Sequence, residues 1–300
     1  MFALSTSWNA KLHYSGEKII KEIAEIGFEA IELSFSLTKK IVKQIKDRKL
    51  VKIVSLHNFC PIPDGISRNK ALPDVYSLSS PDEDIRRMAL RFTKRTILTA
   101  RQLEAKAVVL HLGRVEIADY TRELIALKLK GNKQVNKFKT LKEKMMIERK
   151  KNAPIFFDST YKSLKYLSNL AFNEGIKLGL ENRFYYREIP NYQELQILLD
   201  NFSKKNTFFW YDTGHAYIQE KLGFDKVSDY LDNLGEKILG AHLHDVINLS
   251  DHKAPFTGEI NFNNLKILKD DKILKVIEVH QPVTKEQIIY AKKKLEEVSN

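Results

Sequence analysis

The chain has 300 residues, 43% of them apolar, with a formal net charge of +12. That is enough to bury a large core, and no apolar stretch is long enough to cross a membrane as a helix. One cysteine, Cys60, excludes an internal disulfide; with no basic segment ahead of an apolar one at the N-terminus, the expected location is a reducing cytoplasm.

In chain order, FALSTS (2–7) reads as a first strand. A helix follows at 15–26, with Ile19, Ile20, Ile23 and Ile26 at helical spacing and Gly27 as its stop. AIELSF (30–35) is a second strand and 38–48 a Lys-rich helix. VKIVSLHNF is a third strand. Residues 61–80 contain Pro61, Pro63 and Pro73 and read as a loop long enough to act as a lid. Ser80-Pro81-Asp82-Glu83 opens a helix that runs to about residue 104, with Pro at its first turn and acids near the positive end of its dipole. AKAVVLHLG (105–113) is the fourth strand.

A strongly basic excursion occupies about 114–155. Between Lys128 and Lys151 ten Lys/Arg face two Glu, a local charge of +8. Such a run suits a solvated helical surface, contact with nucleic-acid phosphates, or a dimerisation arm. Past it come a helix at 158–174, the strand IKLGLENR, a helix at 191–202 and the strand TFFWYD. Helical material at 215–235 leads to the strand KILGAHLHDV. A short helix at 261–268, the strand ILKVIEVH and a helix at 284–297 complete the chain. Eight strands alternating with helices predict a single (β/α)8 TIM barrel over 1–300, with a basic helical insertion after strand four. The Gly-rich phosphate loops GxGxxG and GxxxxGK[ST] are absent from the sequence, which counts against a doubly wound sheet.

Six of the apolar runs end on a residue able to hold a metal or carry a proton. These are His57, His111, Glu181, Asp212 with His215, His242 and Glu278. In a parallel barrel the C-terminal strand ends form one rim, so these residues are expected to meet there. A carboxylate buried on a strand is costly unless a metal, an arginine or a raised pKa compensates it. Glu181, Asp212, His242 and Glu278, from the last four strands, offer three oxygen ligands and one nitrogen. That set suits Mn, Mg, Co or Zn as a divalent cation. His57, His111, His215 and His252 add nitrogen donors for a second, zinc-like metal. Arg183, two residues from Glu181, either binds a substrate phosphate or carboxylate or orients Glu181. Cys60 reads as a small buried or loop thiol, since one cysteine makes no metal-binding pattern.

LGLENR, YDTGHA, GAHLHDV, DHKAPFTGEINF and IEVH, in a chain that matches from IELSF to IEVH, resemble the xylose-isomerase-like barrels. That superfamily includes sugar and sugar-phosphate isomerases and epimerases, and the endonuclease IV class (AP endonuclease family 2). For the first branch the resemblance implies one divalent metal on Glu181, Asp212, His242 and Glu278. The two glutamates double as acid and base, and His215, with His57 and Arg183, contacts substrate. For the nuclease branch it implies a larger zinc set on His57, His111, Glu181, Asp212, His215, His242, His252 and Glu278. One further nuclease ligand, an Asp, falls on Ser250; Asp251 substitutes for it only with a change of register. Phe256 stands where the family usually has Gly, and is expected to narrow that loop and add an apolar surface near the site.

The expected function is a metal-dependent isomerase or epimerase of a small polyhydroxy compound, phosphorylated or not. One glutamate takes the proton beside a carbonyl and the other returns it through an enediolate, from strands roughly across the barrel from each other. The alternative is a zinc phosphodiesterase acting at abasic sites in DNA. The sequence favours a small substrate over nucleic acid and sets no oligomeric state.

Overall fold

Eight apolar runs become eight parallel strands of a closed barrel, because each run is too short for a helix and buried on both faces. The structure, a computed structural model, describes the backbone of residues 1–300 and the side chains of all but 132 and 133. In chain order its elements begin with β1 (Phe2–Ser5), α1 (Gly16–Glu25), β2 (Ala30–Leu33), α2 (Lys39–Arg48) and β3 (Lys52–His57). Then come α3 (Glu83–Gln102), β4 (Ala107–Leu110), α4 (Thr121–Leu129), α5 (Val135–Asn173) and β5 (Lys177–Glu181). They continue with α6 (Tyr192–Phe202), β6 (Thr207–Asp212), α7 (Thr213–Leu222), α8 (Val227–Leu234) and β7 (Ile238–Leu243). A hairpin of β8 (Asp245–Ile247) and β9 (Ser250–Lys253) precedes β10 (Leu274–Ile277) and α9 (Lys285–Ser299). The barrel closes in the order β1-β10-β7-β6-β5-β4-β3-β2, the expected (β/α)8 arrangement.

Alternation along the strands divides the barrel into layers. Ala3, Ala30, Val54, Ala107, Val109, Trp210, Leu239 and Val276 pack together as one buried cluster. Trp210 fills the space between β5 and β7, and both neighbours give way to it. A Cβ on Gly179 would meet its ring at 2.8 Å, and one on Gly240 at 2.3 Å. One residue-pair further along, Glu181, Asp212, His242 and Glu278 stand at the C-terminal ends of their strands. The polar layer thus rests on a packed floor.

The largest departure from the expected elements lies in the basic excursion. The helix predicted at 158–174 begins at Val135 and runs unbroken for 39 residues, with Pro154 inside it. Its C-terminal part buries Ser163, Leu164, Leu167 and Ala171, whereas its N-terminal part buries only Met145 and Arg149. The C-terminal part carries the broad apolar stripe that marks a helix in a sequence; the N-terminal part has a thin one, Phe138, Leu141 and Met145, packed beside Leu124, Ile218 and Leu222.

Smaller differences follow local chemistry. Pro81 sits before α3, whose N-cap is Asp82, accepting hydrogen bonds from the Asp84 and Ile85 amides. The material at 215–235 divides at Gly223, which has φ +74°. The β8–β9 hairpin and two short 3-10 turns occupy 245–269, where one short helix was expected. The loop 61–80 is tied down: Arg68 donates to the carbonyls of Ser36 (3.2 Å) and His13 (2.9 Å), and Ser163 donates to that of Leu78 (2.8 Å). It forms a fixed wall over the rim. No helix is long and apolar enough to cross a membrane among the described residues.

Candidate functional site

The four strand-end residues meet. His242 Nδ1 lies 2.6 Å from Glu181 Oε1, 2.9 Å from Glu278 Oε2 and 3.8 Å from Asp212 Oδ2. All four side chains are buried, and one ligand atom from each lies within 4.8 Å of the others. β5 and β10 have β6 and β7 between them, so the two glutamates approach from well-separated strands, one short of diametrically opposed. Both carboxylates face the same cavity, of about 260 Å³. That is near the small end of the ~300–1,000 Å³ usual for small-molecule sites.

A residue not singled out from the sequence completes the cluster. Glu32 on β2 is fully buried and lies 3.0 Å from His242 Nε2, and Ser55 donates to its other oxygen at 2.8 Å. An acid inside the apolar run AIEL carries the same burial anomaly as Glu181 and was discoverable by the same argument. The pairing of Nε2 with a carboxylate aims Nδ1 at the other three acids, as outer carboxylates do for metal-binding histidines.

Electrostatics point the same way. Burial works to lower the His242 pKa, but Glu278, Glu32 and Glu181 outweigh it and hold the imidazole well above its ordinary value. Burial works to raise the Glu181 carboxyl, but His111 and His242 hold it well below the usual carboxylate range; Glu278 is depressed by His242 and His252 in the same way. Buried carboxylates outnumber buried cations at this end of the barrel. Three buried carboxylates and one imidazole nitrogen, converging on one point, fit a divalent cation.

Arg183 is committed to the protein. Its Nη1 lies 2.5 Å from Glu181 Oε2 and its Nη2 3.1 Å from Glu188 Oε1. Of the two roles expected for it, the geometry matches the orienting one.

The remaining histidines flank the cluster on two sides. On the β3–β4 side, His57 Nδ1 donates to the Asn58 carbonyl at 3.0 Å, which leaves Nε2 as a bare acceptor 3.9 Å from Glu181 Oε2. His111 Nε2 lies 2.6 Å from the same oxygen. Burial, helped by the nearby Arg183, works to lower the His111 pKa well below its ordinary value, while Glu181 works against that shift. Its buried Nδ1 has no partner among the described residues.

On the other side, His215 Nδ1 donates to the Asn182 carbonyl at 3.1 Å, leaving Nε2 free to face Asp251 Oδ2 at 3.8 Å. His252 Nδ1 is 3.2 Å from the same carboxylate oxygen. Burial opposes protonation of His252, yet Asp251 with Glu278 and Asp212 pushes its pKa up to about 9. Asp251, not Ser250, thus enters the site. The β8–β9 pairing that carries it is irregular between Asp245 and Ile247. Phe256 does not line the cavity; it packs on Phe262 at 5.1 Å, so the apolar surface expected from it is not part of the cavity wall.

His244, two residues beyond His242, is also drawn in. Its Nε2 donates to Asp212 at 3.0 Å and its Nδ1 accepts from the His252 amide at 3.0 Å. Both nitrogens are therefore used in holding Asp212 and the hairpin. The DTGH segment is shaped around this contact. Asp212 caps α7 by accepting from the His215 amide at 2.7 Å, and a Cβ on Gly214 would meet the His244 ring at 2.1 Å. His280 stacks on His252 with ring centres 3.8 Å apart.

A description of the xylose isomerase-like TIM barrel matches residues 20–293. The chain belongs to the xylose isomerase-like TIM barrel family. Curated relatives include an uncharacterized protein of Methanocaldococcus jannaschii, 28% identical over 234 residues, covering 73% of this chain and 68% of that one. Solved xylose isomerase-like barrels share the fold. A D-tagatose 3-epimerase-like protein superposes with a TM-score of 0.64 at 22% identity, over 99% of this chain and 96% of that one. An L-ribulose 3-epimerase gives 0.64 at 16%, over 100% and 98%. The IolI protein with a bound zinc atom gives 0.65 at 15%, over 99% and 97%.

Proposed function

We propose that the chain is a divalent-metal-dependent isomerase or epimerase of a small sugar derivative, acting through Glu181 and Glu278. The observation that carries this reading is the convergence of both glutamates on His242 Nδ1, at 2.6 and 2.9 Å, at the bottom of one small cavity. The fold neighbours described as epimerases of tagatose and ribulose support it.

Glu181, Asp212, His242 and Glu278 would hold the cation, which supplies polarisation of a carbonyl and its neighbouring hydroxyl. Glu181 is clamped by Arg183, so its carboxylate is held in place, while His111 and His242 favour its ionised form. Glu278 takes its close contacts from His242 and His252, with no arginine on it. Each carboxylate is placed to take a proton from the carbon beside the carbonyl or return it, and the two approach from different strands. Proton removal on one side and delivery on the other inverts or relocates the stereocentre through an enediolate. His57 and His215, with their Nδ1 atoms committed to backbone carbonyls, present Nε2 to the cavity as acceptors for substrate hydroxyls.

The test is turnover of a panel of ketoses by metal-reconstituted protein. Glu181→Gln and Glu278→Gln are each expected to abolish it. Activity surviving both changes would sink the two-glutamate mechanism.

A second reading, a multi-zinc phosphodiesterase acting at abasic DNA, has one observation in its favour. His57 and His111 with Glu181 form a further ligand group beside the central cluster, and on its other side His215 and His252 both face Asp251. The basic segment does not support it. Lys137 pairs with Glu123 (3.0 Å), Lys142 bonds the Gly223 carbonyl (2.5 Å), and Arg149 is buried on Glu194. Metal analysis separates the two: about one ion per chain fits the isomerase, and two or three tightly held zincs the nuclease.

A further inference from the structure

Two cavities meet at the rim of the barrel. The inner one reaches the carboxylate cluster, and its outer wall carries Arg122, Phe184 and Tyr185. The second lies beside it, shares Arg122 and Tyr185, and is bordered by Arg114 and Arg187. Four arginines therefore line the combined cleft, and three are neutralised. Arg183 is held between Glu181 and Glu188. Arg114 pairs with Asp74 at 3.2 Å and Glu116 at 3.0 Å, and Arg187 with Asp119 at 3.4 Å.

Arg122 is different. Among the described residues it has no carboxylate partner. Its Nε and Nη2 donate to one neutral acceptor, the Tyr185 hydroxyl, at 3.1 and 2.7 Å. The guanidinium lies over the rings of Phe184 and Tyr185, 5.8 and 5.5 Å from their centres. A guanidinium has five donors, so several are left for a ligand. An exposed arginine ordinarily spends conformational entropy when it binds. This one is already held by a phenol and two rings, so binding costs it less.

We propose that Arg122 binds an anionic group of the substrate, a phosphate or a carboxylate, at the mouth of the cavity, while the polyhydroxy part extends inward to Glu181 and Glu278. The planar fork of arginine matches both anions. The substrate is then an anionic sugar derivative, not a free neutral ketose. This inference rests on the isomerase reading of the same cavity for the identity of the inner part, and on the arginine geometry alone for the anion.

The experiment is calorimetric titration of chelator-treated, full-length protein with inorganic phosphate and, separately, with acetate. It is done on the wild type, Arg122→Gln and Arg122→Lys. At least one anion is expected to bind the wild type, about 10–100-fold more weakly to Arg122→Gln, and at intermediate strength to Arg122→Lys. Phosphate binding tighter than acetate assigns a phosphate ester; the reverse assigns a sugar acid. Absence of binding by either anion, or equal affinity in wild type and Arg122→Gln, overturns the proposal.

The metal-loaded enzyme is then assayed with neutral and anionic ketoses. A rise in KM for the anionic ones in Arg122→Gln, with kcat nearly kept, is expected. Turnover of anionic ketoses with the same KM in both proteins, or turnover of neutral ketoses as efficient as that of anionic ones, overturns the anion site and leaves the isomerase reading intact. Anion binding lost in Arg122→Gln without turnover of any ketose does the opposite.

Discussion

Glu181 is the residue on which most of the site depends. One of its oxygens faces His242, and the other takes His111 and Arg183. A carboxylate so surrounded keeps its charge and its orientation when the cavity fills. Asp212 is managed differently. It is oriented by a backbone amide, from His215, and by the His244 ring. Outer partners of this kind are typically worth about 10–100-fold in metal affinity. His244→Ala is therefore expected to weaken divalent-cation binding by about that factor, read by calorimetry on chelator-treated protein. Undiminished affinity would mean that the His215 amide alone suffices. The acids were legible in the sequence because a charge at the end of an apolar run is anomalous. His244 and His280 lie two residues after His242 and Glu278, past the ends of β7 and β10, and their contacts with Asp212 and His252 are set by the loops. Asp251 was legible only as a neighbour of the position where an acid was expected; that it faces His215 and His252 is decided by how the hairpin folds over the rim.

Among the elements, α5 shows how a basic run is turned to structural use. Arg149, counted in the sequence as one charge of ten, is buried. It makes a two-pronged ion pair with Glu194 at 2.9 and 2.7 Å and donates to the carbonyls of Tyr186 (2.8 Å) and Glu188 (2.9 Å). It fastens α5 to the loop after β5 and to the start of α6. Glu194 is also the N3 residue of the capping box opened by Asn191. Removing the arginine leaves a buried carboxylate without its counter-charge. Arg149→Met is expected to cost about 3–5 kcal/mol in urea unfolding. A loss below ~1 kcal/mol would place the pair among weak surface bridges. The elements with a buried stripe, such as α1 and α9, were read from spacing. The front of α5 was not, because its apolar stripe, Phe138, Leu141 and Met145, is thin and lies inside the basic run, and a buried ion pair at Arg149 takes the place of its next apolar residue.

Closing the barrel brings the two ends of the chain together. β1 pairs with β10, and α1 meets the start of α9 through Glu22, which takes Lys285 at 2.9 Å and His13 at 2.8 Å. Burial works against the ionised carboxyl, but Lys285, His13 and Asn9 lower the Glu22 pKa to about 2. A depressed carboxyl contributes stability that is complete above its unfolded value, near ~4.3. That contribution is lost as pH falls through the folded value. Thermal stability of the wild type is expected to drop between about pH 4.5 and pH 2, and the Glu22→Gln variant to show a shallower fall in that window. Parallel acid limbs for the two proteins would remove Glu22 from the closure.

The periods of two and of about four in the apolar residues were enough to specify eight strands, their intervening helices and the polar rim. Burial is the main driving force, and it writes itself into local spacing. The sequence also carried the four residues that meet at the centre of the rim, since a buried charge has few innocent explanations. Only the tertiary structure decided how the cations were spent. It locked Arg183 onto Glu181 and Glu188, buried Arg149 under α5, and left Arg122 without a carboxylate at the mouth of the cavity. Those outcomes depend on which loop lies against which, and a charged residue has the same sequence signature whether it meets a partner or a substrate.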